Sequence, residues 1–139
     1  SSAASDVYKR QILWICKVGA MEEKMAYKNN LITGITELLV LKILEQQDSY
    51  VYEIQKMINN NSEHLLSISL NTIYTVTYKL ENENLISEYS KLVGKKRTRV
   101  YYHLEETGKE YLTKITANYN NMIDGVNHII NFLGGNLNE

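Results

Sequence analysis

The chain reads SLNTIYTVTYKLENENLISEYSKLVGKKRTRVYYHL over residues 69–104, and this stretch decides the fold. Ile73, Val76 and Leu80 recur at spacings of three and four residues, which predicts a helix with one apolar face. Ser69 stands just before this helix and has a side chain suited to accept from its free N–H groups, so it is the predicted N-cap. We expect the helix to end near Asn84, because asparagine adopts the left-handed backbone conformation that closes helices.

A β-hairpin is predicted directly after this helix. The two extended segments run from Leu85 to Leu92 and from Thr98 to Leu104, and a basic stretch containing Gly94 separates them. In the second segment apolar and polar positions alternate with the period of two that a half-buried strand requires. The inward positions of that strand are predicted to be Val100, Tyr102 and Leu104.

Two more helices are predicted on the N-terminal side. The apolar residues from Leu31 to Leu44 cover nearly the whole circumference of a helix, which indicates a central helix buried on several sides. Residues 46–48 end it, and Ser49 is the predicted N-cap of a second helix that stops at the polar stretch 59–62.

The C-terminal part of the chain predicts one long helix. Residues 107–110 fit a capping box, with a start there or a residue or two earlier. For three heptads the apolar residues follow the pattern of a coiled coil, and a second copy of the chain is the simplest partner for such a helix. The predicted dimer interface consists of Leu112, Ile115, Tyr119, Met122, Val126, Ile129 and Leu133. Gly134 and Gly135 are expected to end the helix.

The predicted fold is therefore mainly α with a small β-hairpin: a winged helix-turn-helix followed by a long C-terminal dimerisation helix. We assign residues 25–105 to the DNA-binding domain, 106–133 to the dimerisation helix and 134–139 to a tail. Residues 1–24 differ in character and resemble a read-through extension or translated adaptor sequence, so Met21 or Met25 is the expected start of the natural protein.

Composition excludes several classes of protein. The 139 residues carry a net charge of −1, so any charge that attracts DNA must be concentrated locally. No apolar run approaches the ~20 residues that a membrane span needs. Cys16 is the one cysteine, which fits the reducing cytoplasm. His64, His103 and His128 lack the spacing of a metal or catalytic site, so we expect neither enzymatic activity nor a cofactor.

The outward face of the third predicted helix carries side chains that form hydrogen bonds. An α-helix fits the major groove of DNA, where such side chains read base edges. The alternative is an ordinary solvated face. Tyr74 is either a core ring or a phosphate contact, and the sequence leaves both interpretations open. The predicted DNA contacts of this helix are Asn71, Thr72, Tyr74, Thr75, Tyr78 and Lys79.

The predicted hairpin contains a cluster of positive charge. Between Lys91 and Arg99 there are five basic residues and no acidic one, a third of all lysines and arginines in the chain. A charged loop is often only solvated, but its place directly after a candidate recognition helix favours contact with phosphates or the minor groove. The predicted contacts of this wing are Lys95, Lys96, Arg97 and Arg99.

Several segments together resemble the PadR family of bacterial transcriptional regulators, in its short subclass with a single dimerisation helix. Asn71, Thr75, Thr77 and Tyr78 stand where the family often has Gly, Pro, Leu and Arg, so no base preference follows from the resemblance. The resembling segments are residues 37–44, 49–54, 71–74, 80–81, 85–86, 101–104 and 107–108.

The resemblance implies a homodimeric repressor that binds an inverted-repeat operator in double-stranded DNA. Members of the short subclass include repressors that bind flat, hydrophobic drugs between the two subunits, where an aromatic residue of the last helix stacks on the ligand. Tyr119 occupies that place in the motif order, although a plain contact in the dimer is the favoured interpretation of this residue. The alternative function is a winged-helix module that binds a protein partner and never touches DNA.

Overall fold

The computed structural model describes residues 10–11, 32 and 34–137. The chain divides into two compact units, Ser1–Ile35 and Thr36–Glu139. Most of the predicted N-terminal extension, with Met21, Met25 and Cys16, lies outside the described residues. The candidate functional surface belongs to the second unit.

The order of elements is the predicted one. Helix α1 covers residues 34–46, and helices α2 and α3 follow at Val51–Asn61 and Leu70–Asn82. The strands are β1, Ile86–Val93, and β2, Arg97–Leu104, and helix α4 spans Glu106–Leu137. The fold prediction, mainly α with one hairpin and a long final helix, is confirmed.

The core lies where the first three helices meet. Leu41 of α1, Ile54 of α2 and Ile73 of α3 are fully buried. Burial of each such side chain contributes about 1.5–3 kcal/mol to folding. Leu104 of β2 and Leu112 of α4 complete this core, so the hairpin and the last helix are attached to it by their ends nearest residue 105.

The two predicted N-caps have opposite outcomes. Ser69 caps α3 as expected, since its hydroxyl accepts from the Thr72 N–H at 3.2 Å. The prediction that Ser49 caps α2 is wrong, because Tyr50 is the N-cap residue and makes no side-chain cap hydrogen bond. Ser49 is instead buried and exchanges two backbone hydrogen bonds with Tyr102, at 3.3 and 2.9 Å. The loop between α1 and α2 is thereby joined to the hairpin.

A compact junction links the end of α3 to the start of α4. Asn84 adopts the predicted left-handed conformation, with φ of 60°. Of the predicted starts of α4, the earlier one is confirmed, because the helix begins at Glu106. The capping box itself is wrong, since the Thr107 hydroxyl donates to the Asn84 carbonyl at 2.7 Å. A Cβ on Gly108 would overlap the Leu85 carbonyl oxygen and come within 2.6 Å of a Leu104 methyl group. Glycine is required here because backbone and helix approach closely.

The hairpin is a regular antiparallel pair, with Ile86 opposite Leu104 and Val93 opposite Arg97. Gly94 turns the chain with φ of 70°. Tyr102 and Leu104 are buried as predicted, but Val100 is 42% exposed and its prediction as an inward residue is wrong. The reason is that the hairpin extends past the core, so Val100 in the outer half of β2 has no core residue to pack against.

Helix α4 is longer than predicted. It runs for 32 residues and continues through Gly134 and Gly135 to Leu137, so the predicted end at these glycines is wrong. Glycine costs a helix only about 1 kcal/mol, which does not by itself stop it. In the described part of the chain, no helix is both long and apolar enough to cross a membrane.

Candidate nucleic-acid interface

The outer face of α3 presents hydroxyl groups to solvent. Tyr74 is 53% exposed, so its interpretation as a core ring is wrong, and Thr75 and Tyr78 are exposed beside it. Asn71 and Thr72 are partly buried at the first turn. The Thr75 hydroxyl donates to the Asn71 carbonyl at 2.9 Å and keeps its oxygen lone pairs available to a partner. This face can both donate and accept hydrogen bonds.

Lys79, the last of the predicted contacts on α3, already has a partner. Its Nζ atom lies 3.1 Å from Oε2 of Glu37 on α1. Hydrogen bonding and attraction to Glu37 raise the pKa of the Lys79 ammonium above its usual value. Lys79 therefore differs from the hydroxyl-bearing residues of the same helix.

The tip of the hairpin carries the unpaired positive charge. Lys95, Lys96 and Arg97 are exposed at the turn that Gly94 forms. Considering only the residues that the structure describes, no carboxylate lies within ion-pair distance of these three side chains. The tip is thus free to meet anionic groups such as phosphates.

Further down the hairpin, the two other cations lie on tyrosine rings. The Arg99 guanidinium carbon is 4.4 Å from the centre of the Tyr50 ring, and Lys91 Nζ is 5.6 Å from that of Tyr101. Such cation–π contacts fix flexible side chains in place. Tyr101 also stacks on Tyr89, its cross-strand partner, at 5.7 Å. Tyr50 meets Tyr101 edge-on, with 5.6 Å between the two ring centres. We call Tyr50, Tyr89 and Tyr101 together the tyrosine stack.

Asp48, in the loop between α1 and α2, is hydrogen-bonded to the hairpin beside this stack. Its Oδ2 atom accepts from the Tyr89 hydroxyl at 2.8 Å, and its Oδ1 atom lies 2.8 Å from His103 Nδ1. Burial acts to raise the pKa of Asp48, but the hydrogen bonds with His103 and Tyr89 outweigh it and lower the pKa below 3.8. Sequence reasoning treated His103 as a plain surface residue and missed this contact. The partners lie 41 and 55 residues from Asp48, so no local signal reveals them.

An open cleft separates α3 from the hairpin. Its volume is about 370 Å³, and tyrosine rings and one guanidinium border it. Tyr74 of α3 and Arg99 of β2 are both on its wall, so the polar face of α3 and the edge of the hairpin adjoin the same concave surface. The residues around it include Tyr50, Tyr52, Tyr74, Glu88, Arg99 and Val100.

The predicted dimer interface on α4 divides into two parts. Leu112 is only 1% exposed within a single chain, so its prediction as a dimer contact is wrong: it belongs to the core of its own domain. Ile115 and Tyr119 are half-buried. Beyond them α4 has an uncovered apolar surface, where Ile129 is 62% exposed. The exposed apolar residues of this C-terminal half are Met122, Val126, Ile129, Ile130, Phe132 and Leu133.

Metal chemistry has no framework in the part of the chain that is described. Within residues 34–137 no group of three or more His, Cys, Asp or Glu side chains is arranged to hold a metal ion. His64, His103 and His128 are all exposed and lie on different elements.

Three helices followed by a basic hairpin define the class of this molecule as a winged helix-turn-helix protein. The family model described as the transcriptional regulator PadR-like family matches residues 40–114, more than half of the chain. The chain therefore belongs to the PadR-like family of transcriptional regulators, and the family resemblance seen in the sequence is confirmed.

Solved structures of similar fold support this assignment. A transcriptional regulator from Clostridium thermocellum is 28% identical, with a TM-score of 0.65, over 70% of this chain and 92% of that chain. A PadR family transcriptional regulator from Eggerthella lenta is 25% identical, also with a TM-score of 0.65, over 81% of this chain and 96% of that one. Bacillus subtilis PadR in complex with operator DNA shares the fold, with 22% identity and a TM-score of 0.55 over 59% of this chain and 47% of that chain.

Proposed function

We propose that this protein is a homodimeric repressor that binds an inverted-repeat operator in double-stranded DNA. One observation supports it most directly: Tyr74, on the hydrogen-bonding face of α3, and Arg99, a cation of the hairpin, border one open cleft. Such a concave surface can follow the ridge of a DNA backbone, with a helix in the adjoining major groove. The Bacillus subtilis relative of the same fold was solved with operator DNA.

The outer face of α3 would read the bases. Asn71 can form paired hydrogen bonds with adenine, and the hydroxyls of Thr72, Thr75 and Tyr78 can donate to or accept from base edges. Tyr74 lies on the cleft wall and would donate its hydroxyl to a phosphate. Because none of these side chains is charged, their contribution depends on the base sequence more than on salt.

The wing would supply the electrostatic attraction. Lys95, Lys96 and Arg97 project without acidic partners among the described residues, and Arg99 is fixed against Tyr50. Each phosphate that such a cation neutralises releases counterions, so binding weakens as salt rises. With a net charge of −1 for the whole chain, this local cluster is what would bring the protein to DNA.

The C-terminal half of α4 would hold two copies together. Met122, Val126, Ile129 and Leu133 recur at coiled-coil spacing and are exposed in the single chain. A second copy that covers this surface would place the two α3 helices in successive major grooves, about 34–36 Å apart. An operator with two-fold symmetry follows from such a dimer.

The proposal includes a small effector bound between the two subunits. Tyr119 is half-buried at the point where α4 leaves its own domain, next to the proposed dimer surface. A flat, hydrophobic or aromatic compound that stacks there would alter the distance between the two reading helices and relieve repression in the cytoplasm. The other interpretation of Tyr119 is a plain contact between subunits.

The test is a DNA-binding measurement across a salt series. The probe is a labelled duplex from the region upstream of the protein's own gene, with a scrambled duplex beside it. We expect binding to the first duplex that weakens steeply with salt. The variant Lys96→Ala with Arg97→Ala should flatten the slope by about 0.9 for each phosphate that the wing no longer neutralises.

Lys114→Ala is the matched control, because Lys114 is an exposed lysine of α4 outside the wing. It should leave the slope unchanged. Absence of specific binding at low salt would refute the proposal. If binding is absent and the wing variants still bring down the same protein partner as wild type, the module that docks a protein is the better explanation.

A further inference from the structure

Lys79 is the one cation on α3, and it is held at the side of the helix that faces α1. Its Nζ atom is 3.1 Å from Glu37 Oε2, and the Glu37 side chain is only 17% exposed. The other carboxylate oxygen, Oε1, is buried. Among the described residues, Lys79 is the cation at ion-pair distance from this carboxylate, so the ammonium compensates a charge that water reaches poorly.

A third element lies near the same carboxylate. Tyr111 belongs to α4, and the interaction with Glu37, together with burial, raises the pKa of its phenol to about 12. Glu83, at the end of α3, adds further negative charge that acts on both Lys79 and Tyr111. The hydrogen-bonded ion pair of Glu37 is the one with Lys79, which joins α1 to α3.

We propose that Glu37 is a positioning residue that fixes α3 against α1 and withholds the Lys79 ammonium from DNA phosphates. This inference rests on the proposed DNA-binding function. A shielded carboxylate that loses its cation is strongly destabilised, and this cost is larger than the gain from one more phosphate contact. Lys79 therefore stays with Glu37 when DNA binds, and the salt-dependent contacts come from the wing alone.

The experiment compares salt slopes of binding to the upstream duplex. Lys79→Met should lower affinity by less than about tenfold and leave the slope at its wild-type value, because Lys79 neutralises no phosphate in the wild type. Glu37→Gln removes the competing charge and keeps the shape, so Lys79 becomes free and the slope should steepen by about 0.9. The variant with both substitutions should return to the wild-type slope.

Glu45→Gln is the matched control for the change in charge. Glu45 also lies on α1 and also pairs with a lysine, Lys42, but neither residue belongs to α3 or to the hairpin. It should leave the slope unchanged. Thermal melting of each variant establishes that it is folded. Lys79→Met should melt at a lower temperature than wild type, because it leaves Glu37 without its cation. The variant with both substitutions leaves no unpaired charge and still decides the test, since its slope falls by about 0.9 only if Lys79 neutralises a phosphate in the wild type.

Two results would overturn the inference. A slope that falls by about one unit in Lys79→Met shows that Lys79 contacts a phosphate. A slope unchanged in Glu37→Gln shows that Glu37 does not hold Lys79 away. The proposed function fails on other results. In one, wild type shows no specific binding to the upstream duplex, and the inference about Lys79 then fails as well. In the other, the variant with Lys96→Ala and Arg97→Ala keeps the full slope, which shows that the wing does not contact phosphates.

Discussion

The recognition helix and the wing are built from opposite chemistry. Helix α3 has one cation, Lys79, and an acid pairs with it, whereas residues 91–99 have five cations and no acid. The exposed side chains on the outer face of α3 carry hydroxyl groups, whereas those of the wing carry ammonium and guanidinium groups. Under the proposed function, this difference divides selectivity and affinity between two separate elements, since hydrogen bonds to bases select a sequence and charges attract any duplex.

The largest expected effect comes from disrupting the proposed dimer, because the monomer has only one α3 helix and one wing to bind DNA. Val126→Glu with Ile129→Glu places charges on the exposed apolar stripe of α4. We expect a monomer in analytical ultracentrifugation and a DNA affinity lower by about 100-fold or more, because two linked half-site contacts become one. Asn120→Glu, on another exposed position of α4, should remain dimeric. A dimer that survives the double substitution would contradict the proposed interface.

The second prediction concerns the junction that holds hairpin and helix in common. Gly108→Ala should destabilise the fold by about 3 kcal/mol, because its Cβ meets the backbone at Leu85 and cannot be accommodated without displacement. Gly125→Ala meets no atom of the chain and should be neutral or stabilising by up to about 1 kcal/mol. Denaturant unfolding measures both, and equal stability of the two variants would show that the close approach at Gly108 is relaxed in solution.

The third prediction separates selectivity from affinity. Thr75→Ala should weaken binding to the upstream duplex by about tenfold, on the order of 1–2 kcal/mol, and leave binding to a scrambled duplex and the salt slope unchanged. Thr113→Ala is its control, because Thr113 is an exposed threonine of α4 that bonds the carbonyl four residues back in the same way. If Thr75→Ala weakens both duplexes alike, the helix does not read sequence at this position.

The smallest expected effect concerns the two contacts of Asp48 with the hairpin, to Tyr89 and His103. Asp48→Asn weakens the contacts with Tyr89 and His103 and should lower the melting temperature by a few degrees, about 2–4 °C, at pH 5–7. Folding lowers the pKa of Asp48, so its contribution is fully present well above the unfolded value of about 3.9.

That contribution disappears as pH falls through the lower folded value, and the gap between wild type and variant should close below about pH 4. Asp124→Asn, at an exposed position of α4, should show no such pH-dependent gap. A gap of constant size from about pH 6 down to about pH 2.5 would mean that the charge of the Asp48 carboxylate does not contribute to these contacts.

Local patterns in the sequence predict most of the fold. The spacing of Ile73, Val76 and Leu80, the Ser69 cap and the left-handed Asn84 all depend on neighbours within a few residues, and all are present in the structure. The family match over residues 40–114 agrees with the predicted order of elements.

Contacts between distant segments could not be predicted. Ser49 resembles a cap in sequence, yet its backbone pairs with Tyr102, and Leu112 fits the dimer stripe but completes the core of its own domain. The partnership of Lys79 with Glu37 spans 42 residues. Each of these depends on how the hairpin and α4 pack on the three helices, which periodicity along one element does not contain.

The junction around residues 84–85 and 105–108 has a mechanical consequence. The Thr107 hydroxyl donates to the Asn84 carbonyl, and the Glu105 N–H donates to the Leu85 carbonyl. Gly108 lets α4 pack directly on the backbone of Leu85, just before β1. The C-terminal end of α3 is thereby fixed to the first turn of α4, a helix of 32 residues that is about 48 Å long at 1.5 Å per residue. A sideways movement of about 5 Å at the far end of a stiff rod of this length corresponds to a tilt of about 6° at its base. Torque applied near the C-terminus would therefore arrive at α3 as a rotation.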